Sequence, residues 1–331
     1  MPTNLRRSIL ISLVLAFGVA IGLGLISDIR DVSRSFSTFQ WTVLPAVLGF
    51  TLLNYALRWL KWDYYLRAMR MHHGVSRWDS VLLFTSGMLM AVTPAKVGEV
   101  LKSALLRRIN GTPLSASAPI VLAERITDGL AMLLLMGAGL TLYAPARPAF
   151  VALLALTVAG LAALQSQPLV DRLCAVLARL PFGERAVPRL QTAYASTRAL
   201  LNWRVLFPST AISLVSWFGE CLAFYYVLRG VGVEGEALRL LLVATFVFAA
   251  STLFGLVSFL PGGLGVSEAS STGLLVLLVP MAAGPATAAT ILIRFCTLWF
   301  GVTLGALALA LFGRRYRTGA PGAPVAEGAA P

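Results

Sequence analysis

The sequence predicts an all-α polytopic membrane protein, with about six full transmembrane helices and two re-entrant helical hairpins in an inverted repeat. Three observations lead there. The 331 residues are 58% hydrophobic and 12% charged, with a mean hydropathy of +0.81, more apolar surface than a soluble domain can hide. Lys and Arg gather in clusters between long apolar runs. Two breaks, Thr93-Pro-Ala-Lys-Val-Gly-Glu99 and Leu260-Pro-Gly-Gly-Leu-Gly-Val-Ser-Glu268, each interrupt an apolar run and end in a carboxylate. Each is followed at the same offset by a lone Arg in the next apolar segment, Arg125 and Arg294.

Composition also excludes several function classes. The net charge of +13 follows from positive-inside loops and implies no nucleic-acid partner. Cys174, Cys221 and Cys296 are scattered, two of them within apolar runs, so neither a disulfide framework nor a thiolate metal site is implied. His72 and His73 stand between Arg70 and Arg77 without a carboxylate or Cys at ligand spacing, and no cofactor is called for.

Taken in order, Arg6 and Arg7 precede an apolar run at 9–26 that no small-x-small cleavage site follows. It reads as a retained first span, with a twin-arginine export signal as the alternative. A second span at about 42–60 leads into Lys61, Arg67, Arg70 and Arg77, a cytoplasmic loop. Residues 80–92 are too short to cross comfortably, since the hydrocarbon core needs about 20 helical residues. After the break at 93–94 the segment ends in Arg107 and Arg108, so a hairpin open to the cytoplasm is expected. The third span, 114–143, holds Glu124, Arg125 and Asp128, and 150–164 returns the chain.

Residues 165–204 are basic, with Leu169, Leu173, Val176, Leu177 and Leu180 at helical spacing and Arg172 and Arg179 off that stripe. They predict a cytoplasmic amphipathic linker. The fifth span, about 205–228, contains Glu220. Residues 240–280 form the second hairpin around Pro261, although 240–260 is itself long enough to span; 286–312 is the last span, and Arg314, Arg315 and Arg317 hold its end in the cytoplasm. The expected division is a membrane domain at 1–313, with repeats at about 45–135 and 205–312, and a Gly, Ala and Pro-rich disordered tail at 314–331.

An ionised group deep in a bilayer costs at least ~2.5–3.5 kcal/mol, so the buried charges need a reason. Most Lys and Arg fall in loops; Arg58, Lys96, Arg125 and Arg294 fall inside the membrane zone. Thr93 and Pro94 have the types of an N-cap and first helical residue, and Gly98 lies just beyond them; Lys96, Glu99, Lys102 and Ser103 then share one face. Pro261, Gly262, Gly263 and Gly265 permit tight turning at the second tip. Lys96, Arg125 and Arg294 are the expected headgroup ligands, Arg offering planar multidentate donors to phosphate oxygens. Glu99, Glu124, Asp128, Glu220 and Glu268 are expected to balance charge or carry a coupling proton, and Asn54 and Arg58 to line the same cavity. The alternative reading is that Lys96–Glu99, Arg125–Asp128 and Arg294–Glu268 are structural pairs that only hold the hairpins. The sharpest expectation is that the two tips meet near mid-membrane with Arg125 and Arg294 beside them.

At these residues the chain resembles the flippase-like membrane domain of the lysylphosphatidylglycerol synthase transmembrane family. The matching stretches are TPAKVGEVLKSALLRR (93–108), AERITDGLAMLLL (123–135), FGLVSFLPGGLGVSEASSTGLL (254–275) and ILIRFCTLWFG (291–301). The resemblance covers nearly the whole chain but no soluble synthase domain, so it implies lipid handling without aminoacyl transfer, and no enzyme. It implies a bacterial cytoplasmic (inner) membrane protein with both termini in the cytoplasm. Its partners would be membrane lipids: an anionic phospholipid, a polyprenyl phosphate, or a glycolipid or hopanoid-type lipid. Association into a homo-oligomer is left open. Two rivals stand beside this reading: a membrane-embedded lipid-modifying transferase using Glu124 or Asp128, and a non-transporting lipid-binding partner of an envelope-lipid pathway.

Overall fold

The computed structural model describes residues 18, 29–92, 100–179 and 183–317. The expected first span, the first tip with Thr93, Pro94, Lys96, Gly98 and Glu99, and the tail beyond residue 317 lie outside these described residues. Among them the chain is all-α, with no strand.

A short α1 (Ile29–Ser37) leads through a 3₁₀ turn at Trp41–Val43 into α2 (Leu44–Ala68), where Pro45 sits in the first turn and needs no hydrogen-bond partner. The first hairpin is α3 (Arg77–Met88), a 3₁₀ turn at Leu89–Val92, and α4 (Leu101–Asn110). Ser76 caps α3 by accepting from the Asp79 N–H at 3.1 Å, and α4 stops at Gly111, whose φ of +75° suits a left-handed cap. Then follow α5 (Leu114–Ala138), α6 (Arg147–Gln165), α7 (Gln167–Leu177), α8 (Gly183–Leu200) and α9 (Trp203–Gly230). The second hairpin is α10 (Ala237–Val257), a turn at Pro261–Gly263, and α11 (Val266–Leu278). The chain closes with α12 (Ala283–Arg294), a π turn at Phe295–Trp299, and α13 (Phe300–Arg317).

Five of the described helices are long and apolar enough to cross a membrane: Trp41–Ala68, Ala144–Gln165, Trp203–Gly230, Ala237–Val257 and Ala283–Tyr316. The protein is a polytopic membrane protein. With 25 residues, α5 has the length as well, about 1.5 Å per residue, but carries Glu124, Arg125 and Asp128. Without a single fully buried residue, α6 touches the core only through such side chains as Phe150 and Leu153 and turns most of its apolar surface outward.

The central pair, α2 and α9, is antiparallel. The Gln40 N–H donates to Gly230 O at 2.9 Å at one end, and the Tyr64 hydroxyl to Arg204 O at 3.3 Å at the other. Midway, Asn54 Nδ2 donates to Ser216 O at 3.0 Å and Ser216 Oγ returns a bond to Asn54 O at 3.1 Å. Two helices that the expected repeat would match therefore run in opposite directions.

Each hairpin leans on the far half of the chain: α3 packs against α13, and α10 against α5. The first contact is backbone to backbone. A Cβ on Gly305 of α13 would lie 2.4 Å from Leu89 N and 2.9 Å from Thr85 O, so no larger residue fits. The open ends of the first hairpin are tied together, because Asn110 at the end of α4 donates to Met71 O and His73 O, just before α3, at 3.0 and 3.1 Å. Arg315 near the end of α13 pairs with Asp79 at 3.0 Å, which places that terminus at the same opening.

One expectation is corrected here. Because α2 continues to Ala68, Lys61 is not a loop residue; it is 0% exposed inside the helix bundle.

Candidate functional site

Where the two hairpins meet α2, α9 and α12, the helices leave a cavity of about 110 Å³. Roughly 10–15 Å³ suffices for one water, so a compact polar group fits. Its wall takes Tyr55 and Arg58 from α2, Trp217 and Glu220 from α9, and Arg294 from α12. The first hairpin adds Phe84, Ala91 and Lys102, and the second adds Gly262 and Ser267. Tyr55, Trp217 and Leu298 stand at the centres of Trp41–Ala68, Trp203–Gly230 and Ala283–Tyr316, so the cavity lies halfway along the three longest helices.

The second tip reaches the first hairpin there. Pro261–Gly263 packs on Leu89–Val92, and a Cβ on Gly262 would lie 3.7 Å from Ala91 O and 3.3 Å from Leu298 Cδ2. Gly262 and Gly263 have φ of +61° and +68°, a conformation in which a side chain is strained. Arg294 ties this tip down. Its Nε donates to Glu268 Oε1 at 2.6 Å and its Nη2 to Gly262 O at 2.6 Å, while Glu268 Oε2 accepts from the Gly265 N–H at 2.7 Å and so caps α11. Beyond Arg294 the π turn holds Thr297, whose carbonyl accepts the Tyr55 hydroxyl.

The remaining cavity charges differ in how they are held. Lys102 pairs with the buried Glu124 and lies over the Trp62 ring at 4.6 Å. Its side chain passes so close to Gly87 that a Cβ there would come within 2.5 Å of Lys102 Cγ. Arg58 sits between two rings, 5.3 Å from the Trp217 centroid and 6.0 Å from that of Phe84. Among the described residues no carboxylate lies within 4.0 Å of Arg58. Glu220 is 2% exposed and likewise has no hydrogen bond or ion pair.

A second buried cluster lies away from the cavity, between α2, α5 and α9. Lys61 Nζ donates to Asp128 Oδ1 at 2.6 Å, Ser213 Oγ at 2.7 Å and Thr127 Oγ1 at 3.3 Å. Ser213 Oγ also donates to Asp128 Oδ1 at 3.0 Å, and Arg125 Nη2 lies 3.2 Å from Asp128 Oδ2.

The structure thus lines one cavity with Arg58, Glu220, Arg294 and Gly262, holds Glu268 against Arg294, and places Arg125 and Asp128 in the second cluster. Asn54 is spent on the α2–α9 clamp rather than on the cavity wall. Glu124 pairs with Lys102 from another helix, not with adjacent Arg125. Sequence reasoning missed Lys61, Tyr55 and Trp217, and left Lys102 outside the headgroup set. The aromatic residue one turn before each of Arg58 and Glu220 was the available signal.

A UPF0104 membrane protein of Methanothermobacter thermautotrophicus is 27% identical over 322 residues, 90% of each chain. Residues 9–305 match the lysylphosphatidylglycerol synthase TM region, and with a match over most of its length the chain belongs to the lysylphosphatidylglycerol synthase transmembrane family.

Proposed function

We propose that the protein is a flippase-like transporter that binds an anionic or phosphate-bearing lipid and moves it across the cytoplasmic membrane. The observation that carries this reading is the cavity halfway along the spanning helices, closed by both hairpins and lined by Arg58, Lys102 and Arg294. Irregular backbone is tolerated at membrane depth only where it is buried in protein or lines a cavity, and Pro261–Gly263 does the latter. The antiparallel α2 and α9 and the exchanged hairpin contacts support an inverted repeat, which offers one set of contacts to either side in turn. The headgroup phosphate is received by Arg58 and Arg294, while the acyl chains stay among the exposed apolar residues outside, such as Phe259 and Phe295. Arg314 and Arg315 at the end of α13, beside the opening of the first hairpin, favour a cytoplasmic C-terminus.

Proteoliposomes loaded with fluorescent phosphatidylglycerol, phosphatidic acid or polyprenyl phosphate test the proposal through dithionite quenching of the outer leaflet. Wild type is expected to speed exchange of at least one of these lipids over empty vesicles. Exchange of none of them, with no lipid retained on gentle purification, would sink it.

A further inference from the structure

Resting on that lipid reading, the geometry points to one proton-carrying group. We propose that Glu220 is the resting counter-ion of Arg58, and that it takes up one proton from water when a phosphate-bearing headgroup takes its place beside that guanidinium.

The first argument is charge balance. Among the described residues the cavity cations Arg58, Lys102 and Arg294 are matched by Glu124, Glu268 and Glu220, so that set of charges sums to zero. Adding a phosphodiester leaves one uncompensated negative charge among those groups at membrane depth, which is costly unless a proton enters with it. The second argument is which carboxylate is free to accept that proton. Glu124 is held by Lys102, and Glu268 is held at both oxygens by Arg294 and the Gly265 N–H. Glu220 is buried and lines the cavity, and among the described residues it has no hydrogen bond or ion pair. The third is placement. Tyr55 and Arg58 on α2, and Trp217 and Glu220 on α9, form the same motif in the two copies, an aromatic residue followed one turn later by a charge of opposite sign.

The groups around Glu220 leave this exchange intact. From α2 come Tyr55 and Arg58; from α12 and the π turn come Arg294 and Cys296; Cys221 is the neighbour on α9 itself. On the cavity wall α10 presents Phe248, Ser251 and Thr252, none of which titrates, and the first hairpin presents Lys102 already paired with Glu124 of α5. Asp128 and Lys61 are bonded to each other in the second cluster.

The test is calorimetric titration of the full-length protein in detergent with dihexanoyl phosphatidylglycerol, whose phosphodiester does not itself titrate near neutrality. Paired buffers of different ionisation enthalpy, between about pH 5.5 and 8.5, count the protons exchanged. Wild type is expected to take up about one proton per lipid and to bind about tenfold more tightly for each pH unit lowered while the coupled group titrates. Glu220→Gln is expected to lose both the proton uptake and the pH dependence. Binding by wild type without proton uptake overturns the proposal, and that measurement stands whether or not the variant folds. Proton uptake that persists in Glu220→Gln overturns it too. Binding of no lipid by wild type overturns the transport reading itself, and this inference with it.

Discussion

The two buried charge clusters share α2 and α9 and are built on opposite plans. Around Lys61 and Asp128 the groups are packed tight, with Ser213 and Thr127 filling the remaining bonds. Around Arg58 and Glu220 the charges face space and each other's field without contact. A membrane interior penalises both arrangements, but only the first relieves the penalty within the protein. The closed cluster therefore holds α2, α5 and α9 together, and the open one is poised for something that arrives.

Substitutions can break this contrast. The largest expected effect is from Lys61→Met, which takes from buried Asp128 its closest cation, leaves it only Arg125 and Ser213, and should lower stability by about 3–5 kcal/mol; equilibrium unfolding in detergent measures it, and a variant as stable as wild type would remove the structural role of the closed cluster. Next comes Gly305→Ala, whose methyl meets the Leu89 backbone, for about 1–3 kcal/mol by the same assay. Arg58→Gln forfeits the ring contacts, about 0.5–2 kcal/mol of stability, and leaves Glu220 to be neutralised by a proton, yet should slow lipid exchange at least about tenfold, since a charge-assisted hydrogen bond is worth roughly 1.5–3 kcal/mol. If it unfolds the protein instead, the open cluster is structural after all. At the bottom of the scale, Arg67→Ala removes a surface pair with Asp63 whose Arg is 56% exposed, for about 0.3–0.5 kcal/mol.

The second hairpin tip was legible in the sequence because Pro and Gly interrupt a helix for local reasons that need no knowledge of neighbours. The all-α membrane architecture was legible from hydropathy. Two ion pairs were legible as well, Arg125–Asp128 from helical spacing and Arg294–Glu268 from the matched offset, whereas the partners of Lys61 and Glu124 were not, because they are chosen across helices. Lys61 lies so near Arg67 and Arg70 that it reads as one more loop charge, and only the burial supplied by α5 and α9 separates it from them. Glu124 has no basic residue at helical spacing on its own helix, and the group that faces it, Lys102, comes from α4. Asn54 and Arg58 share a helix and a spacing of one turn, but α9 claims the first and the cavity the second.

The π turn between α12 and α13 sets a rotational phase. An α-helix advances about 100° per residue, so the surplus residue of the wider turn swings all that follows around the axis by about that amount. Arg294 before the turn grips the second hairpin, while Gly301 and Gly305 after it receive the first. The angle between those grips is thus written into five residues, Phe295–Trp299, and tightening that segment to plain α-helix would turn one hairpin seat away while the other stayed put.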